Sequence, residues 1–388
     1  MKKVLKNLIA LLIGCLGAVL LLEVILRFYN PLQSTVKGYR IVLTANKQYV
    51  TENRTIRKLD LTIVHTKNSL GFRGDEPPQE FSNYLTLVTI GGSTTECKYL
   101  SDGKTWTDIL GQNLKKDFDR VWINNAGLDG HSTFGHTVLM EDYISKLKPK
   151  LALFLVGVND VGRDDLGHFE LQHIKGRIDA QSIRGLVKSM SSYSETFALL
   201  LNLYRYHRAL TTGLSHQEVD LTKLEMAPAT ASNFRESPGS YKNLKSYETR
   251  LVRLINLTRE NKIDPVLITQ PALYGGGIDD VTGIDLGRIK KDNTDGKASW
   301  DLLELYNEVT RRVGQKENVL VVDLARELPK SSWHFYDFLH FTNEGSTKVG
   351  DIVYSNLSHY LKRKYREYTK TDESAVLTVS GERFAVSR

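Results

Sequence analysis

The sequence predicts an α/β fold, a parallel sheet with helices on both faces, preceded by one membrane-spanning helix. Three observations carry this. From Leu85 onward, short apolar runs of strand length alternate with longer segments whose apolar residues recur at helical spacing, the order that buries a parallel sheet between helices. Leu151–Val156 is six apolar residues in a row, as a strand covered on both faces requires. The N-terminus carries a lysine-led apolar stretch of about 19 residues, close to what crosses a hydrocarbon core.

That stretch runs over residues 8–22; Glu23 interrupts it, and Val24, Ile25 and Leu26 follow before Arg27. Lys2, Lys3 and Lys6 precede it, which predicts a cytoplasmic N-terminus and an exported body. Three readings compete. A cleaved signal peptide needs a small-residue site, and Gly14 and Ala18 are available, but the apolar run continues past both. Leu12-Ile13-Gly14-Cys15 resembles a lipobox, but apolar rather than polar sequence follows Cys15. An uncleaved signal anchor over residues 1–28 fits the length best, with Glu23 near the outer interface, where a carboxylate costs less than at the bilayer centre.

Residues 29–84 show little periodicity and read as an extended lead-in packing on the main domain, punctuated by Asn68-Ser69-Leu70-Gly71-Phe72-Arg73-Gly74 and Pro77-Pro78. Strands are expected at 85–90, 121–123, 151–156, 266–269 and 319–322. Helices are expected at 105–116, with Trp106, Ile109, Leu110 and Leu114 at helical spacing, and at 134–147, stopped by Pro149. Further helices are expected at 241–261, 300–314 and from a Thr342 cap to about residue 361. Residues 162–240 interrupt the alternation with one clear helix, 193–210, and read as a lid, a membrane-facing surface or a helical decoration. The main domain then spans 85–365, and a polar tail, 366–388, is expected to be flexible.

The 388 residues carry a net charge of +7, with Lys and Arg scattered apart from the N-terminal lysines and Lys362-Arg363-Lys364. No basic helix is interleaved with aromatics, so a nucleic-acid partner is not expected. The two cysteines, Cys15 and Cys97, make no disulfide framework, and no Cys/His cluster has zinc-site spacing. Neither a metal nor a cofactor is expected.

Four short blocks carry the chemistry: Gly91-Gly92-Ser93-Thr94-Thr95-Glu96, Asn125-Ala126-Gly127-Leu128-Asp129-Gly130, Gly157-Val158-Asn159-Asp160 and Asp337-Phe338-Leu339-His340. The first three follow expected strands, where open parallel sheets bind ligands. Ser93 offers a hydroxyl nucleophile on a glycine turn. His340, three residues after Asp337, offers an imidazole base with an acidic partner. Gly130, Asn159 and the Ser93 N–H are candidate oxyanion donors. Taken singly each block has a plainer reading: Ser93 as an N-cap, Gly127 and Gly130 as a strand-to-helix connection, Asn159-Asp160 as a turn and cap. His334 competes with His340 as base, and His131 and His136 are placed to line a cleft.

Together the four blocks resemble those of the SGNH hydrolases, the GDSL-type esterases and lipases, over roughly residues 85–362. Ser93, Gly130, Asn159 and His340 match the four residues of the name, with Asp337 before the histidine. The resemblance implies a flavodoxin-like three-layer α/β/α sandwich with a five-stranded parallel sheet, and an oxyanion hole from the Ser93 and Gly130 N–H groups and the Asn159 side chain. Gly92 departs from the family's usual Gly-Asp-Ser. Membrane-anchored bacterial members with Gly-Gly-Ser-Thr-Thr and an upstream Asn-x-x-Gly-Phe-Arg-Gly share this pattern. The expected function is a serine ester hydrolase of the inner membrane with a periplasmic catalytic domain, acting on an acyl-ester substrate, lipid or acetylated glycan. The alternatives are an O-acyltransferase for exported or envelope glycans and an inactive assembly protein on the same fold.

Overall fold

The computed structural model describes residues 2–29, 36–37, 40–162, 183–211, 216–228, 238–291 and 294–370. The parts of the expected insertion and tail at 163–182, 212–215, 229–237 and 371–388 lie outside them.

Helix α1 spans Lys2–Phe28. Among the described residues it is the one helix long and apolar enough to cross a membrane, with a mean hydropathy of 2.8 and none of its apolar window buried. A signal sequence meets the same criterion. The lead-in is more ordered than its sequence predicts. Strands β1 (Lys47–Glu52) and β2 (Thr62–Lys67) form an antiparallel hairpin, and β3 (Arg73–Gly74) reaches the central sheet.

The central sheet continues with β4 (Leu85–Gly91), β5 (Val121–Asn125), β6 (Leu151–Val156), β7 (Asp264–Thr269) and β8 (Leu320–Val322), in the spatial order β8-β7-β6-β4-β5-β3. The pairs among β4 to β8 are all parallel. This is the flavodoxin-like strand order, whose switch point lies where the first and third strands of the series, β4 and β6, run side by side. The expected five parallel strands are present. The sixth, β3, is an antiparallel edge that pairs Arg73 with Asn125 and Gly74 with Asn124. Two residues carry no strand periodicity, so this edge is set by tertiary contacts rather than by local pattern.

The helices are α2 (Trp106–Asp117), α3 (Thr133–Leu139), α4 (Ile183–Met190), α5 (Glu195–Thr211), α6 (Pro238–Glu260), α7 (Gly296–Lys316) and α8 (Asn343–Lys364). Thr105 and Asp108 make a reciprocal capping box at the start of α2, and Thr342 caps α8 through the Gly345 N–H. Helix α3 runs on through a π turn, Met140–Ile144, to Leu147.

Successive residues of one strand face opposite layers. Leu85, Leu87, Leu151, Leu153, Leu155 and Ile268 pack with Trp106, Leu110 and Leu114 of α2 and Val349, Val353 and Leu357 of α8. Val88, Ile90, Ala152, Phe154 and Leu267 pack instead with Leu139, Tyr247, Leu251, Leu254, Tyr306 and Val309 from α3, α6 and α7. The sheet is thus buried between two helical layers, which is why β6 has no polar residue.

Candidate active site

Beyond the carboxyl ends of β4 and β6, at the switch point, the four sequence blocks meet. Ser93 opens a single helical turn, Ser93–Glu96, directly after β4. As the first residue of that turn its N–H has no intrahelical acceptor. His340 Nε2 lies 2.8 Å from Ser93 Oγ. On the far side of the ring, Nδ1 lies 2.6 Å from Asp337 Oδ2. A carboxylate only accepts, so Nδ1 carries the hydrogen and the Nε2 lone pair faces the serine hydroxyl.

Asp337 is 7% exposed. Its other oxygen accepts the N–H groups of Leu339 at 2.8 Å and His340 at 2.7 Å. Burial alone would raise its pKa, but the His340 charge and these hydrogen bonds outweigh it and hold the carboxyl below its ordinary value. Tyr336 stacks on the His340 ring at 5.6 Å and 15°, which fixes the imidazole plane.

The turn that carries Ser93 is held from several distant places. Arg73, 2% exposed, donates to the carbonyls of Glu96 (3.0 Å), Cys97 (2.7 Å) and Leu100 (2.7 Å) and to Asp102 Oδ1 (3.0 Å). Asn125 Nδ2 donates to the Thr95 carbonyl at 2.5 Å, and Glu96 Oε2 accepts the Asp129 N–H at 2.8 Å. A Cβ on Gly127 would stand 2.3 Å from the Glu96 nitrogen, so the second block must be glycine there to lie against the first.

Asn159 Nδ2 donates to the His131 carbonyl at 3.0 Å and retains a second hydrogen. The same nitrogen would lie 2.3 Å from a Cβ on Gly92. In this arrangement the asparagine amide fills the space a side chain at Gly92 would need. Asp160, next in sequence, is buried against Arg250 Nη2 (3.1 Å) and Thr133 Oγ1 (2.5 Å), which anchors the Asn159 turn to α3 and α6. Gly130 sits beside His131 with a φ of 70°, a left-handed value suited to glycine, and open space where a side chain would be.

The competing histidines do not meet Ser93. His334 Nδ1 lies 3.4 Å from the Pro329 carbonyl. His131 and His136 line the hollow next to Gly92 and Asn159. Burial pushes His136 down to about 4, so it is neutral at physiological pH. A histidine that sequence reasoning did not single out stands closest: the His216 ring is 4.1 Å from that of His340, with Nδ1 2.8 Å from the Tyr336 hydroxyl and Nε2 3.4 Å from Asp129 Oδ2. Its place in the insertion, remote from every block, gave no signal. Arg73 did leave one, in the glycine-punctuated 68–74 segment. His216, Asp337 and His340 bring three ligand atoms within 4.8 Å of one another. Both His340 nitrogens are already engaged by Ser93 and Asp337, so a cation there would have to displace the serine contact.

Comparison with known proteins adds the following. The model of the GDSL-like lipase/acylhydrolase family matches residues 89–348. Similar solved structures include Axe2, an acetylxylan esterase from Geobacillus stearothermophilus, at 14% identity over 70% of this chain and 93% of that one, with a TM-score of 0.40. They also include a lipase/acylhydrolase from Enterococcus faecalis, at 14% identity over 71% and 96%, with a TM-score of 0.39. A probable signal peptidase I of Mycobacterium leprae (strain TN) is 29% identical over 116 residues, 30% of this chain; the match spans 37% of that relative's length. The family match covers well over half of the chain and contains all four blocks: the chain belongs to the GDSL-like lipase/acylhydrolase family, a family of ester-hydrolysing enzymes.

Proposed function

We propose that the protein is a membrane-anchored serine ester hydrolase, with Ser93 as nucleophile, His340 as general base and acid, and Asp337 as the group that orients the imidazole. The observation that carries this reading is the continuous run from Ser93 Oγ to His340 Nε2 at 2.8 Å and from Nδ1 to Asp337 Oδ2 at 2.6 Å. Ser93 Oγ attacks the acyl carbonyl carbon as His340 Nε2 takes the hydroxyl proton. The imidazolium, stabilised by the Asp337 carboxylate, then protonates the departing alcohol oxygen as its bond to the acyl carbon breaks. Water, deprotonated by the same nitrogen, attacks the acyl-serine; the bond to Ser93 Oγ breaks as Nε2 returns the proton to that oxygen, and the acid leaves. The Ser93 and Gly130 N–H groups and the second Asn159 Nδ2 hydrogen are assigned to the oxyanion of each tetrahedral intermediate.

A second reading, transfer of the acyl group to a glycan hydroxyl outside the cytoplasm, has one observation in its favour. The His216–Asp129 pair borders His340 and gives an acceptor hydroxyl polar partners that water does not need. The test is a panel of p-nitrophenyl esters and acetylated sugars, with and without an acceptor glycan. Hydrolysis that the acceptor leaves unchanged supports the first reading. Product carried on the acceptor at the expense of free acid supports the second. No turnover of any ester, with or without acceptor, overturns both.

The anchor reading rests on α1, whose apolar length follows three lysines and whose apolar window is exposed. It places the catalytic domain outside the inner membrane. Carbonate-resistant extraction of the full-length protein supports it; release of a shortened soluble form, or palmitate at Cys15, contradicts it.

A further inference from the structure

Glu23 is the one acidic residue within α1, and the structure gives it partners far away in the chain. Its carboxylate accepts from Ser194 Oγ at 2.7 Å and from the N–H groups of Glu195 and Thr196 at 3.0 Å each. These are the donors at the start of α5, which that helix leaves without acceptors of its own. Arg27, one turn along α1, bonds Glu23 at 3.0 Å and donates to the Tyr193 carbonyl at 3.2 Å. The end of the anchor is therefore clasped to the start of an insertion helix about 170 residues later.

That clasp fixes a depth. A hydrocarbon core takes about 20 helical residues; counted from Lys6 it ends near residue 26, which leaves Glu23 roughly one turn inside the outer boundary. The start of α5 must then lie at the outer interface. The insertion is built for that place. Leu186, Met190 and Tyr193 recur at helical spacing along α4 and its end, and Leu200, Leu203 and Tyr204 do so on α5; all six are exposed, Tyr204 at 62%. Apolar residues with tyrosines on one face of a helix suit the zone between headgroups and acyl chains. A soluble partner would have to find this face, whereas the bilayer is held beside it by the chain itself.

We propose that α4 and α5 rest in the outer leaflet of the membrane through this apolar face, with Glu23 as the clasp, so that the catalytic domain is held at the lipid surface in one orientation rather than hanging from a flexible tether. This deepens the anchor reading above and rests on it.

The test uses the full chain with Cys15→Ser, so that buried Cys97 is the only native thiol. A fluorescent NBD probe is placed at Leu203→Cys or, as a control in the anchor, at Leu16→Cys. Each protein is reconstituted in phosphatidylcholine/phosphatidylglycerol vesicles containing nitroxide lipids labelled either near the headgroup or deep in the chain, and retained ester hydrolysis, or retained circular dichroism if no ester is turned over, reports an intact fold. The expected result is blue-shifted emission at both positions, quenched by the shallow label at Leu203→Cys and by the deep label at Leu16→Cys. Adding Glu23→Gln is expected to remove most of the shallow quenching. A water-like, unquenched probe at Leu203→Cys with a deeply quenched Leu16→Cys overturns this proposal and leaves the anchor standing. An unquenched probe at both positions overturns the anchor and the proposal with it. Blue-shifted but unquenched emission at Leu203→Cys means that protein covers the face, and also overturns it. Unchanged quenching in Glu23→Gln overturns the role of the clasp.

Discussion

The two sides of the site are held in opposite ways. The nucleophile turn is fixed from a distance: Arg73, Asn125 and Asp129 come from the lead-in, from β5 and from the loop after it, and the turn itself supplies mainly backbone carbonyls and one carboxylate. The acid–base pair orients itself from within, on a loop whose Tyr336 and Phe338 carbonyls accept the distant Val219 and Leu273 N–H groups at 2.9 Å each. Among the described residues the Asp337 carboxylate bonds those two and three positions on, and Tyr336 closes the loop by donating its N–H to the His340 carbonyl at 3.0 Å. A nucleophile that must stand beyond a strand end on a sharp turn needs outside support, whereas an acid and a base three residues apart orient each other. Damage to the base loop should therefore be chemical and local, and damage to the support of the nucleophile turn should be structural first.

The largest effect expected is at the base loop. His340→Ala lowers kcat by roughly 10⁴–10⁶, as loss of a member of a catalytic unit does, and Asp337→Asn lowers it by about 10³–10⁴ because an amide there favours the wrong imidazole tautomer. Both variants should melt close to the parent by differential scanning calorimetry. If His334→Ala were the more damaging change, the base would be misassigned.

The turn that carries Ser93 should respond differently, through Arg73. Arg73→Gln leaves three carbonyls without their donor and removes one partner of the half-exposed Asp102, which keeps the Thr66 N–H, and should cost roughly 3–5 kcal/mol of stability, at about 1–3 kcal/mol for each buried acceptor left unsatisfied. Denaturant melts would show it. Arg73→Lys should recover little, because a single ammonium cannot reproduce the planar fork. A variant as stable as the parent would mean that the turn holds itself.

Most of the site was legible in the sequence, and the division follows the same contrast. Asp337 with His340, Gly91 to Glu96 and Asn159 with Asp160 are local patterns at strand ends, and a local pattern is what a sequence displays. The support showed only as a glycine-punctuated segment at 68–74, and what it holds was not legible. Arg73 meets its acceptors 23 to 29 residues later, Asn68 bonds Asn124 at 2.6 Å, and the two-residue strand β3 has no periodicity to read. Glu23 looked like a tolerated interruption near a membrane edge, because its partners lie about 170 residues away. His216 was passed over for the same reason.

Asn159 belongs to both sides, the proposed oxyanion donor on a turn pinned by Asp160 and Arg250. Asn159→Ala should lower kcat by about 10²–10³ with little change in KM, as loss of one oxyanion donor does. A large rise in KM with normal kcat would make it a substrate-binding residue instead.

The smallest effect expected is in acid. His136 is buried with its folded pKa pushed down to about 4, below its unfolded value of about 6.5. The unfolded state then binds the extra proton, so stability is full above about pH 6.5 and falls as the pH drops toward 4, by up to about 3 kcal/mol. His136→Gln should flatten the melting temperature between those limits, and an unchanged slope would place the acid sensitivity elsewhere.

All of the proposed chemistry turns on Ser93 as the nucleophile. Its most direct test is labelling of the intact protein with a fluorophosphonate, followed by mass spectrometry of the peptide that carries residue 93. One adduct is expected, on Ser93, that is lost in Ser93→Ala while the fold is retained by circular dichroism. Undiminished labelling of Ser93→Ala would contradict it.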